Sequence, residues 1–297
     1  MTGAPRSPSW QWNRAESTCP GVPQQRVRQA DVPPLLTSRI GARITLEPGR
    51  WPVSILKGTM EPEEYTRMAA VEDRMWWYRA LHARLLDALG ERRDGSAFPL
   101  LDAGCGTGGL LARLAPSRAA VGLEWNALAA TTAAAKSGHP IARGSVNQLP
   151  FAAACFGSVI AADVLCHAAV EPAQALAEIK RVLRPGGRLI VNMPAFRGLM
   201  SAHDAQVHNA RRMNARETRA MLEAAGFRVL SVRYWNGLLL PLMIVQRKIL
   251  ARSSDRSDVA AFPPWLDRTL HGMTELERRL RLRLPAGGSV LAIAERP

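Results

Sequence analysis

The chain has 297 residues, 39 Lys and Arg against 25 Asp and Glu, and a formal charge of +14. That length can bury a substantial core and suits one domain plus an appendage. The charge invites a nucleic-acid or anionic-surface reading, but the basic residues are mostly arginine and are scattered. Residues 180–250 carry thirteen of them against three acids, so an anionic substrate is compatible with the sequence without being required.

Cys19, Cys105, Cys155 and Cys166 show no CxxC spacing, which argues against a disulfide frame or a zinc site. The polar, proline-rich start lacks the apolar centre of a signal peptide. The longest apolar run, Leu238–Val245, is too short to span a bilayer. The expectation is a cytoplasmic protein without a transmembrane segment.

In chain order, residues 1–59 hold eight prolines and no sustained helical period, and read as a disordered or loosely packed extension. Met60 stands before Glu61-Pro62-Glu63-Glu64-Tyr65 and reads as an alternative start. Residues 60–297 read as a single domain. A helical stretch runs from Glu63 through Tyr65, Met68, Met75–Tyr78, Leu81, Leu85 and Leu89, predicting an N-terminal helical lid over 60–95. Within it Trp77 and Tyr78 are candidate acceptor contacts, with packing of the helix on a sheet as the alternative.

Phe98–Leu101 reads as a strand ending at Asp102. A turn with glycines at 104, 106, 108 and 109 follows, then Leu110, Leu111 and Leu114 at helical spacing. Ala119–Leu123 is a second strand with Glu124 at its tip. Asn126–Lys136 reads as a helix, Pro140–Ala142 as a third strand, and Cys155–Ala161 as a fourth with Asp163 just beyond. Pro172 opens an amphipathic helix with Ala175, Leu176, Ile179 and Val182 on one face. Pro185-Gly186-Gly187 turns into a strand over Arg188–Asn192. This βαβ alternation predicts an α/β fold with a mostly parallel sheet and helices on both faces.

Beyond it, residues 194–215 and 236–285 read as substrate-side insertions. They flank a helix over Arg216–Ala225 and a strand over Phe227–Tyr234. Helices are predicted over Leu238–Leu250 and Leu266–Leu284, and a terminal strand over Ser289–Ala294.

Four glycines in one strand-to-helix turn exceed what packing alone requires and point to backbone brought close to a ligand. The turn lacks the Lys-Ser or Lys-Thr of a P-loop and the Gly-x-Gly-x-x-Gly spacing of a dinucleotide site. Glu124, 20 residues after Gly104, is placed to accept hydrogen bonds from two ribose hydroxyls. Asp102-Ala-Gly-Cys-Gly-Thr-Gly108, Glu124, Gly144-Ser-Val-Asn-Gln-Leu-Pro-Phe151 and Arg181-Val-Leu-Arg-Pro-Gly-Gly187 together resemble class I S-adenosylmethionine-dependent methyltransferases, type 11-like bacterial subgroup.

The resemblance implies a Rossmann-like fold of seven strands, mostly parallel with the last antiparallel, and S-adenosyl-L-methionine as cofactor. It places Asp102, Gly104, Gly106 and Gly108 under the methionine part and Glu124 on the ribose. Trp125 would stand over the adenine, and Asp163 near the amino-acid end. At Ser145, Val146 and Asn147 relatives often carry an acid for the adenine amino group. That acid is missing here, leaving Ser145 or Asn147 to supply the contact.

Methyl transfer to an acceptor that must lose a proton calls for a base, for which histidine is suited. His167, His203 and His208 are the candidates, and Arg211 and Arg212 are candidates for an acceptor carboxylate or phosphate. A metal at His203, Asp204 and His208 is conceivable, yet none is expected. The reading is methyl transfer to a small molecule in a biosynthetic pathway, oxygen slightly favoured, with no nucleic-acid partner. The alternatives are an RNA or protein methyltransferase and a non-catalytic protein that keeps the cofactor fold. Against nucleic-acid substrates, Asp163-Val-Leu-Cys166 replaces the Asp-Pro-Pro-Tyr of amino methylation, and Cys166 follows Leu165 rather than a proline.

Overall fold

The computed structural model describes residues 62–90, 98–114, 118–201, 204–205, 207–245 and 262–297. The extension expected over 1–59 lies outside them. Seven strands form one sheet: β1 Leu100–Ala103, β2 Ala120–Glu124, β3 Ile141–Arg143, β4 Phe156–Ala162, β5 Leu183–Pro194, β6 Arg228–Trp235 and β7 Ser289–Glu295. Their order is β3-β2-β1-β4-β5-β7-β6. Parallel pairing joins β1 to β2 and β4, β2 to β3, and β4 to β5, while β7 runs antiparallel to both β5 and β6. The chain steps from β1 outward to β3 and then returns to β4 on the other side. That reversal opens a crevice at the carboxyl ends of β1 and β4.

The central strands carry continuous apolar runs because both faces are covered. Residues of β1 and β2 are all buried. Helix α3, Ala127–Ser137, is capped by Asn126, whose side chain accepts from Ala129 N, and closed by Gly138 in the left-handed conformation. In α4, Pro172–Val182, the four buried residues are Ala175, Leu176, Ile179 and Val182, the face that its spacing predicts. Full burial of each larger one is worth about 2 kcal/mol. A capping box opens α5, Ala215–Ala224, with Asn214 and Glu217 each bonding the other's backbone N–H.

Three expectations need correction, and a fourth is tested only in part. The helical stretch from Glu63 to Leu89 is two helices, α1 Pro62–Val71 and α2 Trp76–Leu89. Glu72, just after α1, turns inward to buried partners, and Trp76 N restarts the helix by donating to Asp267 Oδ1 at 2.6 Å. After the glycines the leucines form only a 3-10 turn, Leu111–Arg113, which ends at Leu114 in the extended conformation. The apolar helix α6 is Leu240–Val245; residues 246–250 of the predicted span lie outside the described residues. Helix α7, Pro264–Arg279, stops short of Leu284 because Arg281 takes φ 50°, incompatible with continuing the helix. Among the described residues no helix is long and apolar enough to cross a membrane.

Candidate active site

A cavity of about 380 Å³ opens at the carboxyl rim of the sheet, beneath α1 and α2. Its volume falls within the range of small-molecule sites. At one end stands Glu124, the last residue of β2 and 6% exposed. Its Oε2 accepts from Gly106 N at 3.0 Å and its Oε1 from Asn126 N at 2.8 Å, with the Tyr65 hydroxyl at 3.4 Å from Oε1. These donors fix the carboxylate plane where Glu124 lines the cavity. Burial raises the Glu124 carboxyl above its ordinary range, and the backbone N–H groups pull it back. Beside it, burial pushes the Tyr65 hydroxyl far up, with the Glu124 charge adding to the shift.

The glycine turn is shaped by packing as much as by any ligand. A Cβ on Gly108, at φ +85°, would meet the α3 backbone at 2.8 Å from Ala133 Cα. On Gly109 it would come within 2.2 Å of Glu72 Cδ. Glu72 is buried against this turn, accepting from Gly109 N at 3.0 Å, Thr107 Oγ1 at 2.6 Å and Lys136 Nζ at 2.8 Å. Glycine density alone therefore does not establish a ligand site; the shaped carboxylate at Glu124 is the more telling feature. Gly104 and Gly106 line the cavity, whereas Gly108 faces α3 and does not.

Two further acids sit at the centre of the rim. Asp102 closes on the cavity, its carboxyl pushed up to about 7 by burial and then by the Glu72 and Glu124 charges. Asp163 follows β4 at φ 53° and is pushed up to about 6 by burial, partly opposed by its bond from Asn192. Asn192 Nδ2 donates to both Asp163 oxygens at 2.9 and 3.0 Å, and its Oδ1 accepts from Trp235 Nε1 at 2.8 Å. Trp235 stacks on Trp77 at 6.3 Å and carries the Arg84 guanidinium 4.7 Å over its ring. Arg84 in turn lies 3.7 Å from the buried Glu277 of α7. A polar chain thus ties Asp163 to the helices that cover the cavity.

Of the remaining predicted residues, Trp125, Ser145 and Val146 line the Glu124 end, and Trp77 and Tyr78 line the covering face. His167 lines the cavity as well; burial lowers its pKa, against hydrogen bonds to the backbone of Val207 and His208. Asn147, Arg211 and His208 are not among the lining residues. Asn147 is spent on the chain opposite, Nδ2 donating to Ala169 O and Oδ1 accepting from Glu171 N, both at 2.9 Å. Arg211 donates to the carbonyls of His167 and Val170 at 2.7 and 2.9 Å. Arg212 borders the cavity, but its guanidinium is held by Asp204 and by Ala195 O, so it braces the loop instead of presenting a charge to a ligand. His208, at φ 53°, lies outside the lining and accepts from Ala168 N through its carbonyl. His203 lies outside the described residues.

Sequence reasoning missed Tyr65, Glu72, Asn192, Asn236 and Glu277. Only Asn192 left a signal, a lone amide within the apolar strand Leu189–Met193. The rest act through partners 35 or more residues away.

Residues 101–191 match the family described as "Methyltransferase domain". A Mycolicibacterium smegmatis protein described as a probable S-adenosylmethionine-dependent methyltransferase is 32% identical over 174 residues, 56% of this chain and 64% of that protein. The O-methyltransferase cnsE of Penicillium expansum is 30% identical over 186 residues, 58% of this chain and 64% of that protein. The chain thus spans a little under two thirds of the length of these relatives. Geranyl diphosphate C-methyltransferase from Streptomyces coelicolor A3(2), solved with Mg2+, geranyl diphosphate and S-adenosyl-L-homocysteine, is similar with a TM-score of 0.53 at 17% identity, covering 86% of this chain and 92% of that one. At that identity the likeness is one of fold.

Proposed function

We propose, on the premise that the chain is a class I S-adenosylmethionine-dependent methyltransferase through the domain at residues 101–191, that it methylates a small-molecule acceptor, at oxygen by preference. The observation that carries the reading is the Glu124 carboxylate, buried at a strand tip, fixed by two backbone N–H groups and open toward a cavity. An acid at this strand tip suits the adjacent hydroxyls of a ribose, so the residues present suit the cofactor.

When bound, S-adenosylmethionine supplies an electrophilic sulfonium methyl group. Glu124 would hold the ribose, and the backbone of Gly104 and Gly106 would pass under the methionine part. Asp102 and Asp163 would face its ammonium group. With Asn147 turned away, Ser145 is the side chain left to meet the adenine edge beside Val146. Trp77, Tyr78, Met243 and Phe262 cover the cavity with mostly apolar surface, which excludes water and favours a small apolar acceptor over a polynucleotide. His167 would take the acceptor's proton. Its lowered pKa keeps the ring neutral at pH 7 and able to accept.

The test is a homocysteine-release assay with the purified protein and S-adenosylmethionine, supplied in parallel with small apolar alcohols and phenols, matched amines, and total RNA. Turnover with at least one O–H compound, product mass raised by one methyl group, and none with RNA is the expected result. Turnover with RNA alone would contradict the reading.

A further inference from the structure

The acceptor end of the cavity carries two buried polar atoms for which the described residues offer no hydrogen-bond partner: Asn236 Oδ1 and Trp76 Nε1. Both residues line the cavity, at 0% and 8% exposure. Leaving a buried polar group unpaired is costly, so each marks a place where a ligand atom is wanted.

Asn236 is also held in position. It follows the last residue of β6 at φ 61°, a left-handed conformation that asparagine tolerates better than most residues. Its backbone N–H donates to Glu277 Oε1 at 2.8 Å, and its carbonyl accepts from Gly288 N at 3.3 Å. Its Nδ2 rests 3.5 Å from Met243 Sδ, a weak acceptor. The backbone is thus pinned while the side-chain oxygen is left with nothing to accept from. In the sheet order β2 stands second and β6 last, so Asn236 lies at the opposite side of the fold from Glu124 and the cofactor end.

We infer that Asn236 is the group that recognises the acceptor, and that the acceptor is a largely apolar molecule carrying a hydroxyl that donates to Asn236 Oδ1, with an oxygen that accepts from Trp76 Nε1. The inference rests on the methyltransferase reading above and adds the chemical class of its substrate. The body of the molecule lies against Trp77, Met243 and Phe262. A purely apolar ligand leaves both orphans unpaired in a desolvated site, which is a strong basis for rejecting it.

The probes are 4-ethylphenol and 4-ethyltoluene, which differ by O–H for CH3, titrated into protein saturated with S-adenosylhomocysteine. The readout is the ratio of the two dissociation constants in wild type and in Asn236→Gly, a substitution that keeps the left-handed backbone. The ratio is expected to favour the phenol in wild type and to fall at least tenfold in Asn236→Gly, about 1.4 kcal/mol, with S-adenosylhomocysteine affinity unchanged. Asn236→Asp, which keeps an acceptor oxygen, is expected to retain the preference and serves alone if the glycine variant does not fold. Trp76→Phe is expected to weaken the phenol and spare 4-ethyltoluene.

An unchanged ratio in Asn236→Gly, a lost preference in Asn236→Asp, or a wild type that takes neither probe or both equally would overturn the inference while leaving the cofactor reading intact. Failure of folded wild type to bind S-adenosylhomocysteine at all would overturn the reading beneath it.

Discussion

Glu72 and Glu124 grip one glycine turn at neighbouring residues, Gly106 and Gly109, and do different work there. Glu72 is consumed by Gly109 N, Thr107 and Lys136, so it locks the turn to α3 and to the end of α1. Glu124 is held by Gly106, Asn126 and the Tyr65 hydroxyl at the strand tip that lines the cavity, so it is placed to meet a ligand. Asp102 sits near both charges and is pushed up to about 7, with burial the larger cause. Its native pKa lies above the unfolded value, so its contribution to stability is full below about pH 4 and is lost as pH rises through about 7. An ammonium-bearing ligand favours the ionised form and reverses that preference. Affinity for S-adenosylhomocysteine is therefore expected to rise roughly tenfold between pH 6 and pH 8, measured by calorimetry, and to flatten in Asp102→Asn. A pH-independent wild type would contradict this assignment. Glu124 was legible because its chemistry is local: a strand, a glycine, then an acid. Glu72 was not, since its partners come from residues 107, 109 and 136.

At the level of elements, the covering helices depend on one buried acid. Glu277 of α7 accepts from the backbone N–H groups of Asn236, Gly237 and Leu238 at 2.8, 2.8 and 3.3 Å. It also faces Arg84 of α2, whose Nη2 donates to Thr274 O at 2.6 Å. Glu277→Ala leaves three backbone N–H groups without their acceptor and the buried Arg84 charge without its opposite charge. The expected cost is about 3–5 kcal/mol, measured by urea unfolding; a loss under 1 kcal/mol would show that the loop holds itself. In sequence α7 reads as an arginine-laden helix, and its position was foreseeable from that. Its inward-facing acid was not, because Glu277 looks like one more member of a charged surface run. The break between α1 and α2 was hidden for the same reason, since Glu72 within it turns to residues 107, 109 and 136, and Trp76 N is held by Asp267. Strands and α3 to α5 were readable from short-range rules: apolar runs, helical spacing, and Pro172 at a helix start.

Across the whole molecule, the strand order places Glu124 and Asn236 on opposite sides of the switch between β1 and β4. Alternating βαβ segments made the parallel half of that sheet legible. They did not reveal that β7 inserts between β5 and β6, a non-local pairing that puts Ser289 of β7 and Asn236 after β6 at the cavity. Of the predicted histidine and arginine cluster, His167 lines the cavity and Arg212 borders it. Arg211 and Arg212 are consumed by carbonyls and Asp204, and only pairings distant in sequence decide that.

The central claim is that this sheet holds S-adenosylmethionine through Glu124, and calorimetric titration of S-adenosylhomocysteine into wild type and Glu124→Ala tests it most directly. Wild type is expected to bind, and the variant to bind at least tenfold more weakly, about 1.4 kcal/mol, with an unchanged fold by circular dichroism. Equal affinity in the two proteins, or no binding by folded wild type, would contradict the account.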